Sequence, residues 1–326
     1  MPVKNAAAYL PAALESIGRQ SLTDFELVVV DDGSTDDSAA QLSAYAHRDP
    51  RIRLLQPGPV GLVAALNLGL AACRAPWVAR MDADDCMHRE RLALQSQALA
   101  AAPTLTLVSS QVRCFRDGDI RPGYKAYEGW TNATLTHEQI CRELFIESPL
   151  PHPSVMFRRE AVQALGGYRD LGWPEDYDLW LRMARAGHRF AKLAQVLLDW
   201  RDYDTRHSRS HGRYSDDAFL RCKAHHLVRG PLSARTATIW GAGKLGKRLA
   251  QHLRREGATL DGFVDIDPRK LGRSLHGVPV LAPDLLAPRR ETLVLTAVRT
   301  PGARDLIRGR LCAKGFCEGT DFLCAA

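Results

Sequence analysis

Hydrophobic positions in the first part of the chain alternate between two periods. Residues 9–17 place Leu10, Leu14 and Ile17 at i, i+4 and i+7, the stripe of an amphipathic helix, with Asn5 upstream as a candidate cap. Residues 25–30 form a continuous apolar, β-branched-rich run instead, which predicts a buried strand. That run halts at Asp31-Asp32-Gly33-Ser34, and the polar cluster through Asp37 opens a second helix. Further on, residues 52–55 predict a short strand, 62–73 a helix and 77–81 a strand ending on Asp82. The βαβαβ order predicts an open, mostly parallel sheet with helices on both faces, whose ligands lie beyond the carboxyl ends of the strands. Both acidic clusters fall at those ends.

Between residues 114 and 150 the periodicity fades and turn residues rise (Asp117-Gly118, Pro122-Gly123, Gly129), which predicts an irregular lid facing an acceptor. Regularity returns with a strand at 154–157 and a helix at 159–165 that ends on Gly166-Gly167. A helix at 175–186 follows, with Leu179 and Met183 inward and Gly187 as its stop. The Gly230-Pro231 break marks a linker. A second alternation starts after it: strand 236–240, helix 244–256, strand 260–264, strand 292–298 and a helix through 314. The expected organisation is a domain at 1–228, a linker at 229–235 and a smaller domain at 236–326.

At 326 residues, with 45% hydrophobic and 25% charged, the composition excludes disordered and collagen-like classes and leaves room for two cores. A net charge of +7 suits phosphate-bearing ligands or peripheral contact with an anionic membrane surface, and does not call for nucleic acid. No apolar run reaches the 18 or so residues of a membrane span, and no secretory signal opens the sequence. The eight cysteines form no CxxC pair, so reduced thiols are expected, in the cytoplasm or at the inner face of its membrane.

The sharpest chemistry is Met81-Asp82-Ala83-Asp84-Asp85, three carboxylates within four residues after a strand. Carboxylates so crowded raise one another's pKa unless a cation sits among them. A hard divalent ion, held through few protein oxygens and through substrate phosphates, resolves the conflict. A solvated acidic turn or helix start would carry the same residues, so their surroundings decide between the readings.

Those surroundings run in order: Pro2-Val3-Lys4-Asn5, then Val28-Val29-Val30-Asp31-Asp32-Gly33-Ser34-Thr35-Asp36, then the 81–85 cluster, then Pro174-Glu175-Asp176-Tyr177-Asp178-Leu179-Trp180-Leu181-Arg182. In this order and spacing, over about residues 1–210, the chain resembles the family 2 glycosyltransferases of the α/β GT-A fold. The resemblance implies inverting transfer of a sugar from a nucleotide-diphosphate donor to a glycan or lipid-linked acceptor, assisted by Mn²⁺ or Mg²⁺, as in bacterial surface polysaccharide synthesis. It puts Pro2, Val3 and Asn5 beside the nucleoside and Asp31 or Asp32 on its base, although these acids also read as a turn and helix cap. It sets Asp82 against the ribose and the metal, makes Asp84 a direct metal ligand, and leaves Asp85 as a helix cap. The base that takes the acceptor's proton is Asp176, with Glu175 as the fallback and simple helix capping as the other reading. Gly167 belongs to a small-residue loop that lets a sugar approach or else caps a helix. His152 lies where relatives often carry a histidine near the site.

Two departures stand out. The apolar run that usually precedes Met-Pro-Val is almost absent, so the first strand is a stub unless the true start lies upstream. Trp200-Arg201 is followed by Asp202 and Tyr203, so the histidine offered as a third metal ligand is His207, with His211 beyond it.

In the smaller domain Gly241, Gly243 and Gly246 form a GxGxxG between a strand and a helix, and Asp265 follows the next strand, 24 residues after Gly241. A helix start of this kind can hold a phosphate or nucleotide. Gly262-Phe263-Val264-Asp265-Ile266-Asp267-Pro268 and Gly277-Val278-Pro279-Val280 resemble the Rossmann-like domain that opens bacterial sugar acyltransferases. About 90 residues leave no room for a dehydrogenase's substrate domain. The rival readings are a nucleotidyltransferase, and a nucleotide-sugar-binding protein without turnover.

Overall fold

In the computed structural model, which describes residues 1–116, 118–204, 206, 209 and 211–326, the chain divides into two units. Residues 1–140, 149–171 and 175–210 make the first, and residues 141–148, 172–174 and 211–326 the second.

The first unit opens with β1 (Pro2–Val3), α1 (Leu10–Gly18), β2 (Leu27–Asp31), α2 (Ser38–Arg48) and β3 (Ile52–Leu55), and the three strands pair in parallel in the order β1-β2-β3. Every residue of β2 is buried, as its unbroken apolar run requires. Asn5 does not cap α1, whose first residue follows Tyr9. It takes a left-handed φ of 50°, and its Oδ1 accepts the Thr35 N–H at 2.8 Å, so it ties β1 to the turn after β2. Gly33, with φ 67°, is required in that turn because a Cβ there would lie 2.8 Å from Pro59 N.

The chain continues through α3 (Leu62–Ala72), β4 (Trp77–Ala79), β5 (Cys86–Met87), α4 (Arg91–Ala101), β6 (Leu105–Phe115), α5 (Pro122–Ala133), α6 (His137–Glu143), β7 (Met156–Arg158), α7 (Arg159–Ala164), α8 (Glu175–Arg185) and β8 (Arg189–Arg201). Five of these strands form a mixed sheet in the order β4-β7-β6-β8-β5. Three findings differ from the sequence reading. The long pair β6 and β8 escaped it, the expected irregular lid is largely the helices α5 and α6, and the strand expected to extend the parallel sheet, β4, pairs antiparallel with β7 in the mixed sheet instead. Leu10, Leu14, Val29, Leu42, Met81, Leu99, Val108 and Leu198 join one core cluster, so strand ends and helix starts are held to a common interior.

The second unit contains α9 (Asp216–Val228), β9 (Thr236–Trp240), α10 (Lys244–Arg255), β10 (Leu260–Val264), β11 (Ser274–Leu275), β12 (Val278–Leu281), β13 (Thr292–Thr296), α11 (Ala303–Ala313) and β14 (Phe322–Cys324). Its sheet runs β11-β12-β10-β9-β13-β14, parallel but for β11. The change of unit comes earlier than the expected linker at 229–235. Leu220, Ala224 and Leu227 of α9 pack with Ile239, Leu249, Phe263 and Leu293, so this helix belongs to the second core. Buried Lys223 on α9 donates to Ile146 O at 2.6 Å and Ala325 O at 3.1 Å, which draws the 141–148 segment into the same unit. Among the described residues no helix is long and apolar enough to cross a membrane.

Candidate active site

β4 stops at Ala79, and the turn to β5 holds the acidic cluster. Carboxylate oxygens of Asp82, Asp84 and Asp85 lie within 4.8 Å of one another. Arg80 Nη1 is 2.7 Å from Asp82 Oδ1, and Arg206 Nη2 is 3.8 Å from Asp82 Oδ2. Tyr203 donates its hydroxyl to Asp84 Oδ2 at 2.9 Å, and the Arg201 backbone N–H donates to Asp85 Oδ1 at 2.8 Å. Asp85 Oδ2 is buried with no hydrogen-bond partner among the described residues.

The three carboxyls differ accordingly. Burial opposes the charge on Asp82, but the Arg80 and Arg206 guanidinium groups and the N-terminus together outweigh it and hold the group below the ordinary range. Burial, then the Asp82 charge, raise Asp84; burial lifts Asp85 well above its ordinary value, with its two acidic neighbours adding to the rise. Asp85 caps no helix, because strand β5 comes next; it fastens the turn to β8 instead. A crowded set of carboxylate oxygens, one unsatisfied, fits a hard divalent cation. His207, the expected third ligand, lies outside the described residues. Arg206 went unnoticed in the sequence; its guanidinium lies 4.6 Å over the Trp200 ring and donates to the Tyr124 hydroxyl at 3.2 Å.

The second acid set opens α8. Glu175 is buried and Asp176 partly so, and Asp176 Oδ1 accepts the Tyr177 N–H at 2.7 Å. Burial, then the adjoining Glu175, push the Asp176 carboxyl up to about 8. The buried Arg80 guanidinium pairs with Asp82, and on Asp176 its charge favours the ionised form to a lesser extent than burial and Glu175 oppose it. Nothing in the sequence pattern isolates Arg80 except a charge placed just after a strand, two residues before an acidic cluster.

The loop ahead of α8 is clamped twice. Arg182, paired with Asp178 at 2.7 Å, donates to Leu165 O at 3.0 Å and Gly167 O at 2.8 Å. Asn67 on α3 accepts the Tyr168 N–H and donates to Tyr168 O, both at 2.9 Å. A Cβ on Gly167 would lie 2.5 Å from Asn67 Oδ1, so the room left by its missing side chain is filled by Asn67. His152 Nε2 and the Tyr168 hydroxyl are 2.9 Å apart, and burial, then Arg80, keep His152 well below its ordinary pKa.

At the expected nucleoside end, Pro2 and Val3 pair with Val30 and Asp31. Asp31 Oδ1 accepts the Ser34 N–H at 3.0 Å. Asp32 Oδ1 accepts the Val60 and Gly61 N–H groups at 2.6 and 2.7 Å, and Lys4 Nζ lies 3.3 Å from its Oδ2. Asp31 thus holds its own turn, and Asp32 ties that turn to the 60–61 segment ahead of α3.

In the second unit Gly241 and Gly246 are steric necessities: a Cβ would lie 2.8 Å from Ala297 O at the first and 1.8 Å from Gly241 O at the second, while Gly243 faces open space. Asp265 Oδ2 accepts from Ala242 N–H at 2.8 Å and Lys270 Nζ at 2.9 Å, and Oδ1 accepts the Asp267 N–H at 2.9 Å.

Acids gathered after β4 and at the start of a clamped helix, on a mixed α/β core, fit the class of glycosyltransferases. The chain belongs to glycosyl transferase family 2, whose model matches residues 1–166, and it is a glycosyltransferase. It is similar to the amylovoran biosynthesis glycosyltransferase AmsE of Erwinia amylovora, 32% identical over 190 residues that cover 58% of this chain and 69% of the relative. It is also similar to the UDP-Gal:alpha-D-GlcNAc-diphosphoundecaprenol beta-1,3-galactosyltransferase of Escherichia coli, 28% identical over 61% of this chain and 70% of that one. Among solved structures, S. aureus TarS in complex with UDP-GlcNAc superimposes with a TM-score of 0.57 at 16% identity, over 78% of this chain and 69% of that chain, a likeness of GT-A fold.

Proposed function

We propose that the chain transfers a sugar, with inversion, from a nucleoside-diphosphate sugar to a glycan or lipid-linked acceptor in surface polysaccharide synthesis. The observation that carries this reading is the gathering of the Asp82, Asp84 and Asp85 carboxylates within 4.8 Å of one another in a chain whose residues 1–166 match glycosyl transferase family 2. Asp82 and Asp84 would hold Mn²⁺ or Mg²⁺, with Asp85 behind them; such an ion, when bound, supplies Lewis-acid stabilisation of the departing diphosphate. Asp176 takes the proton of the acceptor hydroxyl as its oxygen bonds to the anomeric carbon, and the bond from that carbon to the diphosphate oxygen breaks. A carboxyl pushed up to about 8 is a stronger base than an ordinary aspartate and suits this role near neutral pH. Arg80 and Arg206 are the side-chain cations set to receive the charge that develops on the leaving diphosphate. Asp31, Asp32 and Asn5 shape the nucleoside end.

The reading of donor and metal together is tested by a hydrolysis screen over UDP-, GDP-, CMP- and dTDP-sugars with Mn²⁺ and with EDTA, alongside nucleoside-diphosphate titration. One donor should be cleaved with metal only, and Asp84→Ala should remove the gain in nucleotide affinity that metal brings to the wild type. Equal affinity with and without metal in the wild type removes the metal role. Pyrophosphate release from a nucleoside triphosphate and a sugar phosphate would show a nucleotidyltransferase.

A further inference from the structure

The positive charge of the chain is concentrated. Residues 211–326 hold 20 Lys and Arg against 11 Asp and Glu, a net of +9, whereas residues 1–210 hold 24 against 26, a net of −2. Many cations of the second unit have acidic partners within it: Arg229 with Glu256, Arg269 with Asp267, Arg299 with Asp216 and Arg310 with Asp284, at 2.5 to 3.0 Å.

Helix α10 differs from this pattern. It contains no acidic residue. Lys244, Lys247, Arg254 and Arg255 are exposed and make no ion pair among the described residues, while Arg248 and His252 each lie 3.0 Å from Asp217. At 3.6 residues per turn these four, with exposed Gln251, fall within about 100° of the helix circumference. The opposite side cannot rotate outward, since Leu249, Ala250 and Leu253 are fully buried in the second unit's core. The result is a fixed cationic strip roughly 18 Å long, and the positive end of the helix dipole lies at Lys244.

We propose that this strip docks the protein on an anionic lipid surface. A helix side is convex and this one bears no aromatic residue, so it offers neither the groove nor the stacking platforms that hold single-stranded nucleic acid. A planar layer of headgroup phosphates meets all four cations at once. The binding stands on the helix itself; only its purpose, meeting a lipid-linked acceptor at the bilayer, rests on the function proposed above.

The test is sedimentation of the full chain with phosphatidylcholine vesicles, with and without phosphatidylglycerol. Binding is expected only with phosphatidylglycerol and falls as salt rises. The triple variant Lys247→Gln/Arg254→Gln/Arg255→Gln should bind about a hundredfold more weakly, roughly fivefold per cation. The triple Arg269→Gln/Arg299→Gln/Arg310→Gln, equal in formal charge, should stay within about threefold of wild type because its cations are already paired. Both triples should keep wild-type unfolding midpoints and donor hydrolysis. Equal losses in the two triples, equal binding to uncharged vesicles, or no binding at all would overturn the proposal. So would single-stranded RNA that binds more tightly than the vesicles at the same salt and is lost with the strip. Vesicle binding by a protein that cleaves no nucleotide sugar would support the strip and overturn only the transferase reading.

Discussion

Acids stand at strand ends in both units, yet they are satisfied in opposite ways. In the second unit the carboxylate of Asp265 accepts from two backbone N–H groups and from Lys270, and these outweigh burial to hold it below the ordinary range. In the first unit Asp84, Asp85 and Asp176 have too few donors for their charge, and burial with like-charged neighbours raises all three. A carboxylate whose lone pairs are filled by its own loop is part of the fold. One left under-compensated in a partly buried pocket destabilises the empty protein, and a cation or an incoming proton relieves it. Asp31 and Asp32 sit between these cases, satisfied by loop amides and yet placed at the end of β2.

The largest effect that sharpens this contrast is on turnover. Asp176→Asn keeps the shape of the side chain and cannot take a proton, so turnover should fall by on the order of 10²- to 10⁴-fold with donor affinity nearly unchanged. In the wild type kcat/KM should rise with pH through about 8, as the free enzyme's Asp176 loses its proton, and the variant should lack that rise. If Glu175→Gln loses turnover while Asp176→Asn keeps it, the base is Glu175 and the contrast moves one residue.

Next in size is a stability effect of opposite sign. A carboxyl at about 8 in the folded chain, against an ordinary value of 3.8, retains a proton that the unfolded chain has released throughout the window between them. Stability from this group is therefore fully present below about pH 4 and declines as pH rises toward 8. Asp176→Asn, which never ionises, should be more stable than wild type by about 1–3 kcal/mol at pH 9 and no more stable at pH 4. Urea unfolding at the two pH values measures it, and an equal difference at both would show that the side chain's charge is not the cause.

What was legible in the sequence follows from range. The β2 run, the acidic turn after β4 and the glycine turn of the second unit are local signals, and each lies where its pattern put it. β6 escaped because Leu107 and Val108 are adjacent and both buried, which breaks the alternation expected of a half-exposed strand. Helix α5 was hidden by Pro122 and Gly129, although proline suits a helix's first turn and one helical glycine costs only about 1 kcal/mol. The clamps of the site were out of reach for a different reason. Asn67 meets Tyr168 across 101 residues, and Arg206 meets Asp82 only through the fold. Arg80 was visible as a residue and silent as a role, since its pairing with Asp82 shows only once the turn after β4 is folded.

The smallest effect tests the satisfied side of the contrast. Asp265→Ala removes the acceptor of the Ala242 and Asp267 N–H groups and the partner of Lys270, leaving the buried Ala242 N–H unmet, which should cost about 1–3 kcal/mol of stability at pH 7. The folded-state carboxyl lies below its unfolded value, so its contribution is complete above about pH 4 and is lost as pH falls through the folded value. The gap between wild type and variant, read from urea midpoints, should therefore shrink in acid. Donor hydrolysis should change less than about twofold, because three of the about four acceptor sites of Asp265 are spent on holding the turns after β9 and β10. A tenfold loss of hydrolysis at an unchanged unfolding midpoint would mean that Asp265 acts on a ligand after all, and that strand-end acids in the two units are not divided by how their own loops satisfy them.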